Sequence, residues 1–342
     1  MLSMILRPKS LSRHPGTLLG AAAVTPPVPV PTWLRRSVPD AQGLAGKDVD
    51  DVAFAAGAAI AALDAVVRRQ ERWAGAWRQR LALSAAAATA KQAGRVEDES
   101  ALRDAVLLTR PGDDVGPGGR FILTWRRLAS RPAEEQLTEK SLVAVLDDFG
   151  FARDDEAVSD LTDDLRQLAA NTGTVETLVG AFAAAERHGF RRVLGAWLAD
   201  VWLAQRLGWT HAIPLLGGEA ALAVGMGRAR RPVAAALAAG VETESDWAKS
   251  LLAAQARAAL RAIDLSAELE RRADRLLAVA PKLRAKAADM VVERLLSDDA
   301  IVASEKIAGM SDRGLRRLFD RLVELGAVRE LSGRPTFRIY GL

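Results

Sequence analysis

From Asp50 onward, apolar residues recur at three- and four-residue spacing almost to the C-terminus, which predicts a succession of amphipathic helices with few strands. The spacing predicts helices over 52–67, 75–93, 97–108, 121–129, 138–149, 155–170, 174–188 and 191–207. A further one is predicted over 245–265, and another from there to 280. In 191–207 the residues Val193, Leu194, Trp197, Leu198, Val201, Trp202 and Leu203 cover almost the whole circumference, so this helix belongs at the centre of the fold. Asp200 lies inside that run. A buried carboxylate without a partner is costly or stays protonated, so Asp200 is expected to pair with Arg78, Arg80 or Arg103, or to cap a helix; a catalytic acid is the remaining role.

The pattern changes in three places. Arg110-Pro111-Gly112-Asp113-Asp114-Val115-Gly116-Pro117-Gly118-Gly119 is rich in turn formers and predicts a loop capped by Asp113 or Asp114. Bare amides there could cradle an anion, but the loop lacks the lysine and hydroxyl of a P-loop, and its aspartates repel phosphate. Gly217-Gly218 and Gly225-Met226-Gly227 flank a short predicted helix ahead of Arg228, Arg230 and Arg231; this Gly-x-Gly follows no strand and lacks the third glycine of a dinucleotide site. Residues 1–49 predict an extended, proline-rich arm. Arg7, Lys9 and Arg13 precede a short apolar stretch that loosely imitates a signal peptide, yet it runs into Pro26-Pro27-Val28-Pro29-Val30-Pro31 and not into a small-residue cleavage site.

The last sixty residues carry a different signature. Pro281 suits the first position of a helix with Ala287, Met290, Val291, Leu295 and Leu296 as its stripe, Ser297-Asp298-Asp299 breaks it, and 301–308 predicts a short second helix. Ser311 is a candidate N-cap for a third, over 311–325, with Leu315, Leu318, Phe319, Leu322 and Leu325 on one stripe and Gly326 as the stop. Arg313, Arg316, Arg317 and Arg321 lie off that stripe, chiefly toward the N-terminal half. A hairpin over 328–340 follows, with Arg334 at its tip, Arg338 on its outer face, and Phe337 and Ile339 on its inner one. The run DRGLRRLFDRLVELGAV with its turn and FRIY resembles the winged helix-turn-helix of bacterial regulators. That resemblance implies a recognition helix whose first turns meet base edges and a wing that meets the phosphate backbone.

Composition narrows the field. A chain of 342 residues, 49% apolar and 26% charged, fits a globular protein of about two domains. The absence of cysteine excludes disulfides, thiol catalysis and Cys-based zinc sites. The three histidines, His14, His188 and His211, form no paired metal motif, so no metal or cofactor is expected. No apolar stretch reaches the eighteen or so residues that cross a bilayer, and a cytoplasmic protein is expected. Net charge is only +4, but both ends are basic and the middle is slightly acidic, as suits a protein whose terminus meets a polyanion.

The runs GAWRQRLAL (75–83), GRVEDESALRDA (94–105), RPGDDVGPGGR (110–120), LADVWLAQRLGW (198–209) and GRPTFRIYGL (333–342) resemble an uncharacterised family of rhizobial and other alpha-proteobacterial, often plasmid-borne, proteins. That likeness implies a bacterial, plasmid-linked role and no particular activity. The expectation is an all-α protein: arm 1–49, helical body 50–280, and winged helix 281–342. It would bind double-stranded DNA as a homodimer, through Ser311, Arg313, Arg316, Arg317, Arg321, Arg334 and Arg338, in transcription or plasmid maintenance. The rivals are a helical scaffold with a structural winged helix, and a hydrolase built on Glu97, Asp98, Asp104, Asp113 and Asp114.

Overall fold

The computed structural model describes residues 30–219 and 244–342 apart from 41, 42, 45, 153, 172, 284–286 and 335. The Gly-x-Gly at 225–227, Arg228, Arg230, Arg231 and His14 lie outside the described residues. Helices dominate: α1 (Thr32–Ser37), α2 (Val49–Arg68), α3 (Ala74–Gln92), α4 (Glu99–Leu107), α5 (Gly116–Ser130), α6 (Glu139–Asp148), α7 (Asp155–Asn171), α8 (Thr174–Arg187), α9 (Arg192–Leu207), α10 (Glu244–Val279), α11 (Ala288–Ser297) and α12 (Asp312–Glu324). Three short strands, β1 (Ile301–Val302), β2 (Arg329–Glu330) and β3 (Ile339–Gly341), complete the chain. No described helix is long and apolar enough to cross a membrane.

Local chemistry accounts for most of these boundaries. Asp48, Asp98, Thr138 and Ser311 each cap the helix that follows by accepting a backbone N–H. Gly208 ends α9 in the left-handed conformation that only glycine adopts cheaply, and Gly326 does the same beyond α12. The two helices expected between 245 and 280 are one, α10, of 36 residues, because no glycine or proline interrupts that stretch. It packs along α2; Ala55, Ala56 and Ala59 of α2 and Ala254, Ala258 and Ala262 of α10 are all buried.

Small residues let helices approach closely, and tryptophans fill the gaps that remain. Trp125 and Trp197 are fully buried and Trp73, Trp77, Trp202 and Trp209 nearly so. A Cβ on Gly195 of α9 would lie 2.6 Å from the Phe182 ring of α8, so these helices meet with nothing to spare. As expected, α9 is central, with Leu194 to Ala204 all buried.

Asp200 has no arginine beside it. Its carboxylate accepts the backbone N–H groups of Leu215 (2.8 Å) and Leu216 (3.1 and 3.2 Å), holding the 3-10 turn Leu216–Gly218 against α9. Burial pushes its carboxyl up to about 8 although these amides pull the other way. The arginines expected there point elsewhere: Arg78 Nε donates to the Ala129 carbonyl, and Arg80 and Arg103 bind Asp299.

Packing modifies two further expectations. The loop expected over 110–119 runs only to Val115, where the Asp114 carboxylate accepts the Gly116 N–H at 3.0 Å, because α5 begins at Gly116 with Pro117 in its first turn. There a Cβ on Gly118 would lie 2.9 Å from Leu102 of α4, so the glycines serve a helix–helix approach. Of the expected arm, 1–29 lies outside the described residues; in the remainder Thr32–Ser37 is helical, with Leu34 buried and Arg35 paired to Asp264 of α10 at 2.5 Å.

The C-terminal unit runs α11, β1, α12, β2, β3, with the antiparallel sheet ordered β1-β3-β2. Helix α11 starts at Ala288, later than Pro281 implied, after a 3-10 turn over Ala280–Lys282. The short helix expected over 301–308 is absent. Ile301 and Val302 instead form β1 opposite Tyr340 and Ile339, and turns follow. Ile339 and Tyr340 are buried and Tyr340 stacks on Phe319 of α12 at 4.3 Å, whereas Phe337, expected on the inner face, is 64% exposed with φ +54 because β3 begins only at Ile339. The buried cluster continues from α1 to Leu342, so this unit shares the core of the body.

Candidate nucleic-acid interface

Helix α12 carries its site residues because its two sides are sharply different. Leu315, Leu318, Phe319 and Leu322 are buried on one side. The Ser311 hydroxyl accepts the Gly314 N–H at 3.2 Å, fixing the first turn. With that stripe anchored, Arg313, Arg316 and Arg317 are left exposed, and none has a carboxylate partner among the described residues. The i,i+4 pair of Arg316 with Asp320 does not form; Asp320 lies 3.8 Å from Arg338.

The other expected cations are engaged. Arg321 pairs with Glu324 at 2.6 Å on the exposed face of α12. Arg338 stands 3.8 Å from both Asp320 and Glu330, and the Tyr340 hydroxyl, then Glu330 and Asp320, push its guanidinium further up. Arg334 leans back to form an ion pair with Asp104 of α4, remaining 49% exposed. A cleft of about 440 Å³ opens between α12 and the hairpin, lined by Ser304, Arg316, Asp320, Thr336, Phe337 and Arg338. Its hydroxyls and guanidinium groups suit a phosphate oxygen, while the Asp320 carboxylate opposes one.

What locks this unit to the body escaped sequence reasoning. Asp299, between α11 and β1, has a fully buried carboxylate that pairs with Arg80 of α3 and with Arg103 of α4 at 2.6 Å. Burial pushes its carboxyl up, but the charge of Arg80, the hydrogen bond and charge of Arg103, and the charge of Arg126 outweigh it, leaving the pKa below the ordinary aspartate value. Burial lowers the Arg126 guanidinium, whose Nε has no partner. Arg272 of α10, near enough to Arg80 for the two charges to repel, donates to the Leu342 carbonyl at 3.0 Å. Nothing in local sequence marks partners some two hundred positions apart.

Four of the five carboxylates considered for hydrolysis have other partners, Asp113 being the exception among the described residues. Glu97 pairs with Arg95, Asp98 caps α4, Asp104 meets Arg334, and Asp114 meets Arg120. Among the described residues no group of three His, Asp or Glu side chains could hold a metal ion.

The chain belongs to the family described as proteins of unknown function, DUF1403, whose model matches residues 22–342. No curated protein and no solved structure matches it.

Proposed function

We propose that residues 288–342 form a winged-helix-like head for double-stranded DNA. In this reading Arg313, Arg316 and Arg317 enter the major groove, the Ser311 turn lies near a phosphate, and Arg338 and the cleft beside it meet the adjacent backbone. The observation that carries it is the set of three exposed guanidinium groups without carboxylate partners on the first two turns of α12, opposite a fully buried stripe. The order helix, strand, helix, hairpin, with β3 between its two neighbours, supports the same reading. The turns over 303–310 depart from it, since a second helix is usual there, and phosphate contacts from that segment fall to Ser304 and the exposed Lys306. A homodimer would present two heads to two half-sites, and control of transcription or of plasmid maintenance is the role we propose for it.

A structural role for the unit draws on a different observation, the ties of Asp299 and Arg334 to the body. Salt separates the two. Binding of a fluorescein-labelled duplex, followed by anisotropy from about 50 to about 300 mM salt, should weaken steeply, each phosphate contact adding about 0.9 to the log–log slope. Replacing Arg313, Arg316 and Arg317 together by alanine should lower that slope by about two to three units, and Arg334→Ala by less than about one, since Asp104 already balances its charge. A flat salt response in the parent protein would leave only the structural role.

A further inference from the structure

A second place where a cation lacks a carboxylate partner is a pocket on the body. The turn between α2 and α3, the start of α3 and the segment after α9 line this open pocket of about 420 Å³. Arg78 reaches it from the first turns of α3. Its Nε is held by the Ala129 carbonyl at 2.9 Å, and no carboxylate pairs with its two terminal nitrogens among the described residues. Burial lowers this guanidinium, with no paired carboxylate to offset the loss of water. His211 lines the same pocket, its ring without a hydrogen bond among the described residues; burial first, and then the charge of Arg78, lower its pKa. The other charged groups there are already matched: Glu71 is held by Arg69 at 2.7 Å, and Arg72 pairs with Glu293.

We infer that this cavity binds a small organic acid, its carboxylate held by Arg78 and His211 and its hydrocarbon part laid against Val66, Val67 and Ile213. A half-buried cation without a counter-charge is costly, and an anionic ligand supplies what the protein omits. One permanent positive charge matches one carboxylate better than a phosphate dianion, and an apolar wall favours a ligand with a hydrocarbon body. The amides at the start of α3, which no side chain caps, add a favourable dipole but do not carry the case. Gln70, in the left-handed region at φ +46, lines the cavity in a conformation that only its surroundings sustain. The site stands whether or not the C-terminal unit binds DNA. It nevertheless touches that unit, for Ser297 at the end of α11 lines the cavity, and a Cβ on Gly75 would lie 2.7 Å from the Ser297 backbone.

The test uses the full chain labelled with 13C-histidine, in which His211→Gln identifies one of three imidazole signals. Titration with benzoate or hexanoate should saturate, shifting the His211 signal and raising its pKa while leaving His188 still. Benzamide, equal in shape to benzoate but uncharged, should bind at least about tenfold more weakly, a loss of about 1.4 kcal/mol. Arg78→Met should lose at least as much. Should that variant fold poorly, Val67→Trp fills the cavity without touching Arg78 and should abolish binding. If neither acid binds, or benzamide matches benzoate, the inference is overturned. It is equally overturned if inorganic phosphate binds as tightly as benzoate, which would mark a plain anion site.

Discussion

Replacing Asp299 by asparagine keeps the volume of the side chain and removes its charge, so the variant isolates what the buried ion cluster contributes. Arg103 and Arg80 are 8% and 15% exposed at their side chains, and both would lose the carboxylate that faces them. Breaking a buried pair by deleting one partner costs about 3–5 kcal/mol, because the remaining charge stays out of water. Unfolding entropy of roughly 2.1 cal/mol/K per residue amounts to about 0.7 kcal/mol/K for this chain, so the expected fall in Tm is about 4–7 °C at neutral pH. Differential scanning calorimetry reads it directly. As an internal control, Asp264→Asn breaks the pair with Arg35, whose side chains are 42% and 56% exposed, and should move Tm by about 1 °C or less. The pH dependence follows from the lowered pKa of Asp299: its contribution is present above about pH 3.9 and is lost as pH falls through the lower folded value. The gap between parent and variant should therefore close as the solution is acidified below that value. A variant that melts within about 2 °C of the parent at neutral pH would refute the claim that this cluster clamps the C-terminal unit.

Asp200 predicts the opposite pH response. Its carboxyl is raised to about 8, so the native state holds an extra proton between about pH 4 and pH 8, and stability is full below that window and lost as pH rises through it. Asp200→Asn should flatten the decline in Tm between about pH 5 and pH 8, and an unchanged slope would show that the group is ionised throughout. Gly341→Ala tests the seat of β3: the added Cβ would lie 2.7 Å from the Asp299 carbonyl oxygen and 2.9 Å from Leu331. Overpacking of this kind costs about 1–3 kcal/mol, read as a Tm loss of roughly 1–4 °C, and an unaltered melt would mean that the strand can shift without cost.

Helix placement was legible because it depends on near neighbours. The stripes of α2, α9 and α12 and the caps at Ser311 and Gly326 all sit within a few residues of what they govern. Expectations failed where a distant partner decides. A short apolar run such as 301–308 suits a helix turn or a strand equally, and β3, nearly forty residues on, selects the strand for Ile301 and Val302. The glycines at 118 and 119 look like a loop until α4 is seen lying against them. Asp200 was rightly expected to need satisfaction, but backbone amides, which carry no signature in sequence, provide it. The candidate head was largely visible as a cluster of arginines. Which of them stay open was not, because Asp104, which claims Arg334, lies in another helix. The pocket around Arg78 was invisible, since four separate stretches of chain build it.

With 47 lysines and arginines against 43 aspartates and glutamates, nearly every cation has a carboxylate available, and net charge alone says little about where an anion would bind. The fold distributes these carboxylates unevenly. Glu219 holds Arg257 at 3.0 Å and also Arg261, and Asp299 holds Arg80 and Arg103, so buried arginines are matched where the body must be rigid. Arg313, Arg316 and Arg317 on α12 and Arg78 in its pocket are among the described arginines without a paired carboxylate, as is Arg126. The two groups that line an open cleft or pocket differ in solvation, and that difference selects the ligand. Exposed guanidinium groups in water bind a lone small anion weakly, and they become effective against a polyanion that releases many counterions at once. A half-buried guanidinium in a small pocket gains most from a single compact charge. A duplex competitor should therefore leave benzoate binding at Arg78 untouched, while benzoate should compete at α12 only as ordinary salt does. Mutual displacement of the two ligands in equimolar amounts would show that they share one site and would overturn the assignment of separate ligands to the two groups.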